Sequence, residues 1–161
     1  MIVIVMGVVG SGKTTIGTLL SSQLGWAFAD ADDYHPQSNV DKIRNGIPLT
    51  DEDREPWLDL LRTAILAWIA AGKNVVLACS ALKRSYRGKL SASPEVRFIY
   101  LKGSYALIAD RLRSRRGHFA GESILSSQLA DLEDPQGAVT IDIDDSPEQI
   151  VAQIKRTLAI G

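Results

Sequence analysis

The stretch that decides the fold reads Gly7-Val8-Val9-Gly10-Ser11-Gly12-Lys13-Thr14. It fits the Walker A pattern G-x-x-x-x-G-K-T, in which a glycine-rich loop turns main-chain N–H groups and a helix N-terminus toward phosphate. A continuous apolar run over residues 2–6 precedes it, as expected of a buried parallel strand. Apolar residues at helical spacing follow it and end at Gly25. Strand, loop and helix together predict a site for nucleotide phosphates.

The residues of this loop have distinct expected roles. The glycines permit a tight turn and a close approach of the backbone to phosphate. We expect Lys13 to bridge the β- and γ-phosphates and the Thr14 hydroxyl to ligate Mg²⁺. Phosphate binding is therefore assigned to Gly7, Gly10, Ser11, Gly12, Lys13, Thr14 and Thr15.

The composition bounds the class of protein. The 161 residues suit a single domain, residues 1–161. The 18 Lys and Arg nearly cancel the 19 Asp and Glu, which argues against a nucleic-acid-binding protein. One cysteine rules out a disulfide framework and favours a reducing compartment, so we expect a cytoplasmic protein. The first apolar run is too short to cross a bilayer, so no membrane association is expected.

Four further apolar runs read as strands, at residues 26–30, 75–79, 96–101 and 139–143. Helical patterns alternate with them, which predicts a three-layer α/β fold with a central five-stranded parallel sheet flanked by helices. One helix is expected over residues 123–132. The longest is expected to begin near Glu55, because Pro56 fits only a first helical turn. Its expected apolar face comprises Trp57, Leu60, Leu61, Ala64, Ile65 and Trp68.

Acidic residues follow the second predicted strand. In open α/β sheets, ligands bind beyond the carboxyl ends of the strands. Asp30 and Asp32 are two residues apart, so an extended chain would direct them to opposite sides. One could hold Mg²⁺ and the other accept a proton from a hydroxyl. A plain turn is the alternative, since Asp is common there.

Two polar segments are expected to be mobile. Residues 33–56 have few core anchors and read as a substrate-binding arm, with a solvated loop and helix as the alternative. Arg111, Arg113, Arg115 and Arg116 precede Gly117-His118-Phe119. Arg111 and Arg115 lie one helical turn apart, and planar guanidinium groups suit triphosphate oxygens. We therefore predict an Arg-rich lid over about residues 115–135.

Longer motifs resemble those of the gluconate kinases over nearly the whole chain. They are Asp32-x-x-His35-Pro36-x-x-Asn39-x-x-Lys42, Gly46-x-Pro48-Leu49-x-Asp51-x-Asp53-Arg54-x-Pro56-Trp57-Leu58, Cys79-Ser80-Ala81-Leu82-Lys83-x-x-Tyr86-Arg87, and Gly117-His118-Phe119 with Ser127-Gln128. The resemblance implies a P-loop kinase of the nucleoside-monophosphate/shikimate-kinase superfamily that transfers the ATP γ-phosphate to the 6-hydroxyl of D-gluconate. It also implies Mg²⁺ and a homodimer. Ala31 stands where the family usually has glycine.

The expected mechanism assigns roles to the site residues. Catalytic roles fall to Lys13, Asp32 and Arg115, with Asp32 accepting the proton of the acceptor hydroxyl or orienting it. Thr14 and Asp30 would hold the metal, while Arg111 and Arg115 would bind ATP phosphates. A polyhydroxylated anionic substrate needs hydrogen-bond partners and cations, for which the candidates are Asp32, His35, Lys42, Arg54, Arg87, His118 and Gln128. Two alternatives stay open: a related small-molecule kinase such as shikimate kinase, and a non-enzymatic nucleotide-binding module.

Overall fold

A parallel sheet forms the middle layer of the molecule. The computed structural model describes residues 1–116 and 120–161. Its strands are β1 (Ile2–Met6), β2 (Ala27–Asp30), β3 (Val75–Ala78), β4 (Val96–Lys102) and β5 (Val139–Asp142). They pair in the order β2-β3-β1-β4-β5, and every pair is parallel. The predicted five-stranded parallel sheet is therefore confirmed.

Helices cover both faces of the sheet. Those in the described residues are α1 (Lys13–Leu24), α2 (Gln37–Arg44), α3 (Asp51–Ala70), α4 (Arg84–Leu90), α5 (Tyr105–Arg116), α6 (Ala120–Asp131) and α7 (Pro147–Leu158). Buried side chains of α1, α5, α6 and α7 form one apolar core with one face of the sheet. Those of α3 and α4 form a second core with the other face. The three predicted layers are thus present. Within residues 1–116 and 120–161, each helix is too short or too polar to span a bilayer.

Helix α3 begins earlier than predicted. It starts at Asp51, and Thr50 and Asp53 form a reciprocal capping box. Pro56 lies inside the helix, where it leaves the Glu52 carbonyl without its N–H partner. Both residues are exposed, so water can satisfy that carbonyl. The predicted start at Glu55 was wrong because the cap outweighs the proline.

The buried face of α3 is also rotated from the predicted one. Leu58 is 1% exposed, whereas Leu60 is 48% exposed. The buried residues of α3 are Trp57, Leu58, Leu61 and Ile65, and the middle of this stripe lies between the directions of Trp57 and Leu58 around the helix. Leu60 therefore lies outside the buried stripe.

Three other local predictions differ from the structure. Strand β2 is an edge strand and only partly buried. The chain after it forms a 3-10 turn over Ala31–Tyr34 instead of continuing extended. Helix α6 spans 120–131 instead of 123–132. The edge position explains the first difference, because β2 has a neighbouring strand on one side only.

Candidate active site

The phosphate loop lies between β1 and α1 at the carboxyl edge of the sheet. Gly10 and Gly12 have φ values of +79° and +97°, which disfavour a side chain. A Cβ atom added at Gly10 would lie 2.9 Å from Cγ of Leu112. Gly12 is the N-cap of α1, and no side chain caps that end of the helix. The loop thus presents main-chain amides and a helix N-terminus, as an anion site requires.

Three adjoining hollows open around this loop. The phosphate cavity, about 290 Å³, is lined by the loop together with Asp30, Asp32, Cys79, Ser80 and Gln128. The arm cavity, about 530 Å³, lies between residues 43–57, the β3–α4 loop and α6. The outer cleft, about 450 Å³, lies between the loop, α5 and the start of α7. Ser80 and Gln128 line both of the first two cavities, so these are contiguous.

The Lys13 side chain is hydrogen-bonded to a main-chain carbonyl of the phosphate loop. Its Nζ donates to the Val8 carbonyl at 3.0 Å. Burial lowers the pKa of Lys13, while Cys79, Asp32 and Asp30 oppose that shift. A desolvated ammonium with few protein partners is suited to bind phosphate oxygens that enter the cavity.

The acidic pair has a defined geometry. Oδ1 of Asp30 accepts a hydrogen bond from the main-chain N–H of Asp32 at 2.9 Å. Burial, and then the neighbouring Asp30 charge, raise the pKa of Asp32; His35 and Lys13 act against this rise. Asp32 still opens to the cavity, so it combines raised basicity with access. That combination suits a general base.

The donor atoms for a metal are oxygen atoms. Thr14, Asp30 and Asp32 line the phosphate cavity together. Hydroxyl and carboxylate oxygens are the ligands that Mg²⁺ prefers. Within the described part of the chain, no three His, Cys, Asp or Glu side chains cluster into a metal site. The residues present fit a cation that shares its coordination with phosphates and water.

His35 and Trp57 form the base of the arm. Their rings stack with centroids 4.5 Å apart and an interplanar angle of 13°. The indole N–H of Trp57 donates to the Ala31 carbonyl at 2.7 Å. Burial lowers the pKa of His35, which nearby Asp32 counteracts and Arg54 reinforces. Ala31 is buried in the 3-10 turn without a left-handed φ, so alanine fits where the resembled family usually has glycine.

Lys42 and Asn39 tie the arm helix α2 to the start of α3. Lys42 Nζ lies 2.8 Å from Oδ1 of Asp53. Hydrogen bonds from Lys42 and from the Thr50 main chain lower the pKa of Asp53 to about 2. Asn39 is 3% exposed and donates to the Asp53 carbonyl at 2.8 Å. The structure thus places Lys42 in a clamp that gives the arm its shape.

Arg54 reaches the wall of the arm cavity. It donates to the Tyr86 hydroxyl at 3.1 Å and lies 3.9 Å from Asp51. Tyr86 in turn donates to Asp51, which also accepts from Lys83 at 2.9 Å. The cluster joins two cations to one carboxylate, and Asp131, which also lines the arm cavity, adds a negative charge near Lys83. The Arg54 guanidinium is the group on this wall that suits an anionic part of a ligand.

Arg87, expected to bind substrate, has a different place in the structure. It is 8% exposed. Its terminal nitrogens donate to the carbonyls of Ala81, Leu82, Glu133 and Asp134 at 2.7 to 3.2 Å. It ties the β3–α4 loop to the segment after α6, and it lines neither the phosphate cavity nor the arm cavity. Helical periodicity marked a basic residue there but carried no information about these carbonyls.

The arginines of α5 divide between different surroundings. Arg111 lines the outer cleft and donates to the Ile143 carbonyl at 3.0 Å. Arg113 pairs with Glu122 of α6 at 2.8 Å. Only the helical backbone of Arg115 is described, and His118 lies outside the described residues. Arg111 therefore stands beside the phosphate loop, on the side away from the arm.

Sequence reasoning did not assign roles to several residues that build this site. Asn39, Asp53, Trp57 and Tyr86 lie inside the quoted motifs, which was the signal available. Their functions depend on partners 11 to 35 residues away, as in the bonds Lys42–Asp53 and Tyr86–Asp51. A motif marks such positions without identifying the partner.

Comparisons with known proteins agree with this architecture. A family model described as shikimate kinase matches residues 9–159. A probable gluconokinase of Xenopus tropicalis is 42% identical, over 96% of this chain and 92% of its own. The gluconokinase of Gluconobacter oxydans is 43% identical, over 95% of this chain and 88% of its own.

Solved structures give the same result. A sugar kinase from a Janibacter species has a TM-score of 0.88 at 43% identity, covering 99% of this chain and 95% of that one. A gluconokinase from Sinorhizobium meliloti has a TM-score of 0.81 at 40% identity, covering 98% and 94%. A shikimate kinase from Aquifex aeolicus, with a TM-score of 0.62 at 16% identity over 99% and 96%, shares the fold alone. The chain is therefore a kinase of the P-loop fold and belongs to the gluconokinase family.

Proposed function

We propose that the protein transfers the γ-phosphate of ATP to the 6-hydroxyl of D-gluconate, giving 6-phosphogluconate and ADP. The observation that carries this proposal is the contiguity of the two cavities. The phosphate cavity holds Lys13 and Asp32, and it shares Ser80 and Gln128 with the arm cavity, whose wall carries Arg54. A donor and an acceptor bound in these hollows would meet at the shared wall.

ATP would enter with its phosphates on the loop. The amides of the loop and Lys13 would hold the β- and γ-phosphates, and the rest of the nucleotide would extend toward the outer cleft beside Arg111. Thr14 and Asp30 would hold Mg²⁺, which when bound neutralises charge on the phosphate oxygens. Positioning and charge neutralisation are what phosphoryl transfer mainly demands of a protein.

Asp32 would serve as the base. As the bond from the acceptor oxygen to phosphorus forms, the bond from phosphorus to the ADP oxygen breaks, and the hydroxyl proton passes to the Asp32 carboxylate. The raised pKa of Asp32, caused by burial and Asp30, strengthens its affinity for that proton. Arg115 and the lid over about residues 115–135 would add positive charge and exclude water on closure.

The acceptor would lie with its carboxylate toward Arg54. The Arg54 guanidinium on the wall of the arm cavity favours the anionic end of an aldonic acid. His35, Gln128 and His118 are the proposed partners for its hydroxyls, and Lys42 would act by shaping the arm. The lowered pKa of His35, caused by burial, favours a neutral ring that can both donate and accept.

Two further parts of the proposal rest on resemblance and composition. The protein would act as a homodimer, for which the family resemblance is the support. A cytoplasmic location fits the single cysteine. Sedimentation equilibrium across a concentration series tests the first, and fractionation of cells expressing the protein tests the second.

A coupled assay of ADP release tests the activity. Purified protein receives ATP and Mg²⁺ with gluconate, other aldonic acids, shikimate or no acceptor. We expect gluconate to give the highest kcat/KM. Turnover on shikimate alone would support the related-kinase alternative, and binding of ATP without acceptor-stimulated turnover would support a nucleotide-binding module.

A further inference from the structure

Gln128 makes a contact that its expected role in substrate binding does not explain. Its Oε1 accepts a hydrogen bond from the main-chain N–H of Val9 at 2.6 Å. Val9 belongs to the phosphate loop, while Gln128 lies on α6, 119 residues later in the chain. A side chain of α6 is thus bonded to the cradle in which the nucleotide phosphates are proposed to bind.

The position of Gln128 singles it out among the residues of α6. It lines the phosphate cavity and also the arm cavity. Ser123, Ile124, Ser127 and Asp131, on the same helix, line the arm cavity alone. A phosphoryl group that moves from one cavity to the other has to pass the wall that Gln128 shares with Ser80.

The chemistry of the amide determines what Gln128 can offer there. With Oε1 held by Val9, the Nε2 group retains two N–H donors. Within the described part of the chain, Nε2 donates to no protein atom. The bond to Val9 also fixes the side chain before any ligand binds, which is the condition under which a donor stabilises a transition state most effectively.

We propose that Gln128 is a catalytic residue whose Nε2 donates to the phosphoryl group in transit, with Val9 as its anchor. This inference rests on the proposed phosphoryl transfer. Gln128 forms and breaks no covalent bond; it stabilises charge on the equatorial oxygens while the acceptor–phosphorus bond forms and the ADP–phosphorus bond breaks. The anchor also links the position of α6 to the phosphate loop.

Two substitutions separate this role from a structural one. Gln128→Glu keeps an oxygen for the Val9 N–H but removes the donor and adds a negative charge. Gln128→Met keeps the length, stays neutral, and removes both donor and acceptor. Gln136→Glu is the matched control, since Gln136 is exposed and lines neither cavity.

We expect kcat to fall about a hundredfold in both Gln128 variants. Affinity for an ATP analogue, measured by titration, should stay near wild type, and Gln136→Glu should match wild type throughout. If Gln128→Glu keeps near-wild-type kcat while Gln128→Met loses it, Gln128 acts only by holding α6 to the phosphate loop, and the proposal is overturned. If Gln128→Glu alone loses kcat, charge repulsion explains the loss, which also overturns the proposal. A loss of affinity for the ATP analogue that accounts for the whole decrease in activity would overturn it as well.

Failure of the proposed function gives a different result. In that case the wild-type protein does not phosphorylate gluconate. The same variants are then compared with the acceptor that the assay panel identifies, and the same pattern of kcat decides the role of Gln128. Thermal melting of each variant confirms that the comparison is made between folded proteins.

Discussion

The phosphate loop and the arm, residues 33–56, are built by different means. The loop owes its shape to the main chain: Gly10 has no room for a Cβ, since Leu112 fills the space. The arm owes its shape to side chains such as Lys42 and Asp53, and a Cβ added at Gly46 would meet nothing within 4 Å. The half that would hold the nucleotide is therefore preset. The half that would hold the acceptor depends on contacts between side chains.

The largest effect is expected where the two regions meet, at Asp32. Asp32→Asn should lower kcat by about a thousandfold, because the amide cannot take the hydroxyl proton. Burial raises the pKa of Asp32, so the wild-type protein should lose its basic form, and its activity, as pH falls through a value above that of an ordinary aspartate. A pH profile of kcat/KM should show this acid limb, and Asp32→Asn should abolish it.

Asp33→Asn is the control for that experiment. Asp33 is exposed beside Asp32 and does not line the phosphate cavity. It should keep wild-type turnover and an acid limb near the wild-type position. An Asp32→Asn variant with wild-type kcat would remove Asp32 from the chemistry.

The preset character of the loop is tested by Gly10→Ala. The added methyl group would lie 2.9 Å from Leu112 at a φ of +79°, so the loop has to shift. We expect kcat/KM for ATP to fall about a hundredfold, as misplacement by a fraction of an ångström to one ångström can do. Steady-state kinetics with varied ATP measures it. Gly88→Ala, in the middle of α4 with open space around it, should instead raise stability by about 0.5–1 kcal/mol and leave kinetics unchanged. Equal behaviour of the two variants would contradict the preset shape of the phosphate loop.

A smaller effect is expected at the junction of the arm with Asp32. Trp57→Phe removes the N–H that bonds the Ala31 carbonyl and leaves that buried oxygen with only its bond in the 3-10 turn, at a cost of about 0.5–1.5 kcal/mol. The loosened turn should reduce kcat about tenfold with little change in KM for ATP. Urea unfolding and kinetics measure the two effects. Trp68→Phe, which alters an edge contact with Tyr34, is the matched change and should affect stability only.

The smallest effect is expected at the half-buried Lys42–Asp53 clamp of the arm. The pKa of Asp53, held at about 2 by Lys42 and the Thr50 main chain, is below its unfolded value. The clamp therefore stabilises the fold fully above pH ~4 and loses this contribution as pH falls toward 2. Lys42→Met should raise the pKa of Asp53 and flatten the stability curve over that range. Lys89→Met, which breaks ion pairs with Glu55 and Asp59, should leave the titration of Asp53 as it is.

This contrast also explains how far the sequence could predict the structure. The loop, β1 and α1 follow from a contiguous pattern, and the capping box at Ser146 likewise lies within four residues. The five strands could be predicted because each coincides with a short apolar run. Such features are local, so a single sequence contains them completely.

The remaining differences come from interactions between distant segments or from competing local preferences. The carbonyls around Arg87 belong to two loops about 50 residues apart, and no spacing rule connects them. Pro56 predicted a later start of α3, but the capping box of Thr50 and Asp53 sets an earlier one. The partial exposure of β2 results from its place at the edge of the sheet. Hydrophobicity does not specify the order of the strands, so the sequence could not predict this exposure.

Cys79 has a practical consequence. It is the single cysteine of the chain, 2% exposed, on the wall of the phosphate cavity, and burial raises the pKa of its thiol to about 12. An alkylating reagent can modify it only when that wall opens, because reaction requires a solvated thiolate. The rate of Cys79 alkylation, followed by mass spectrometry, therefore reports how often the wall of the phosphate cavity opens. Each molecule can be modified only once, because the chain has a single cysteine.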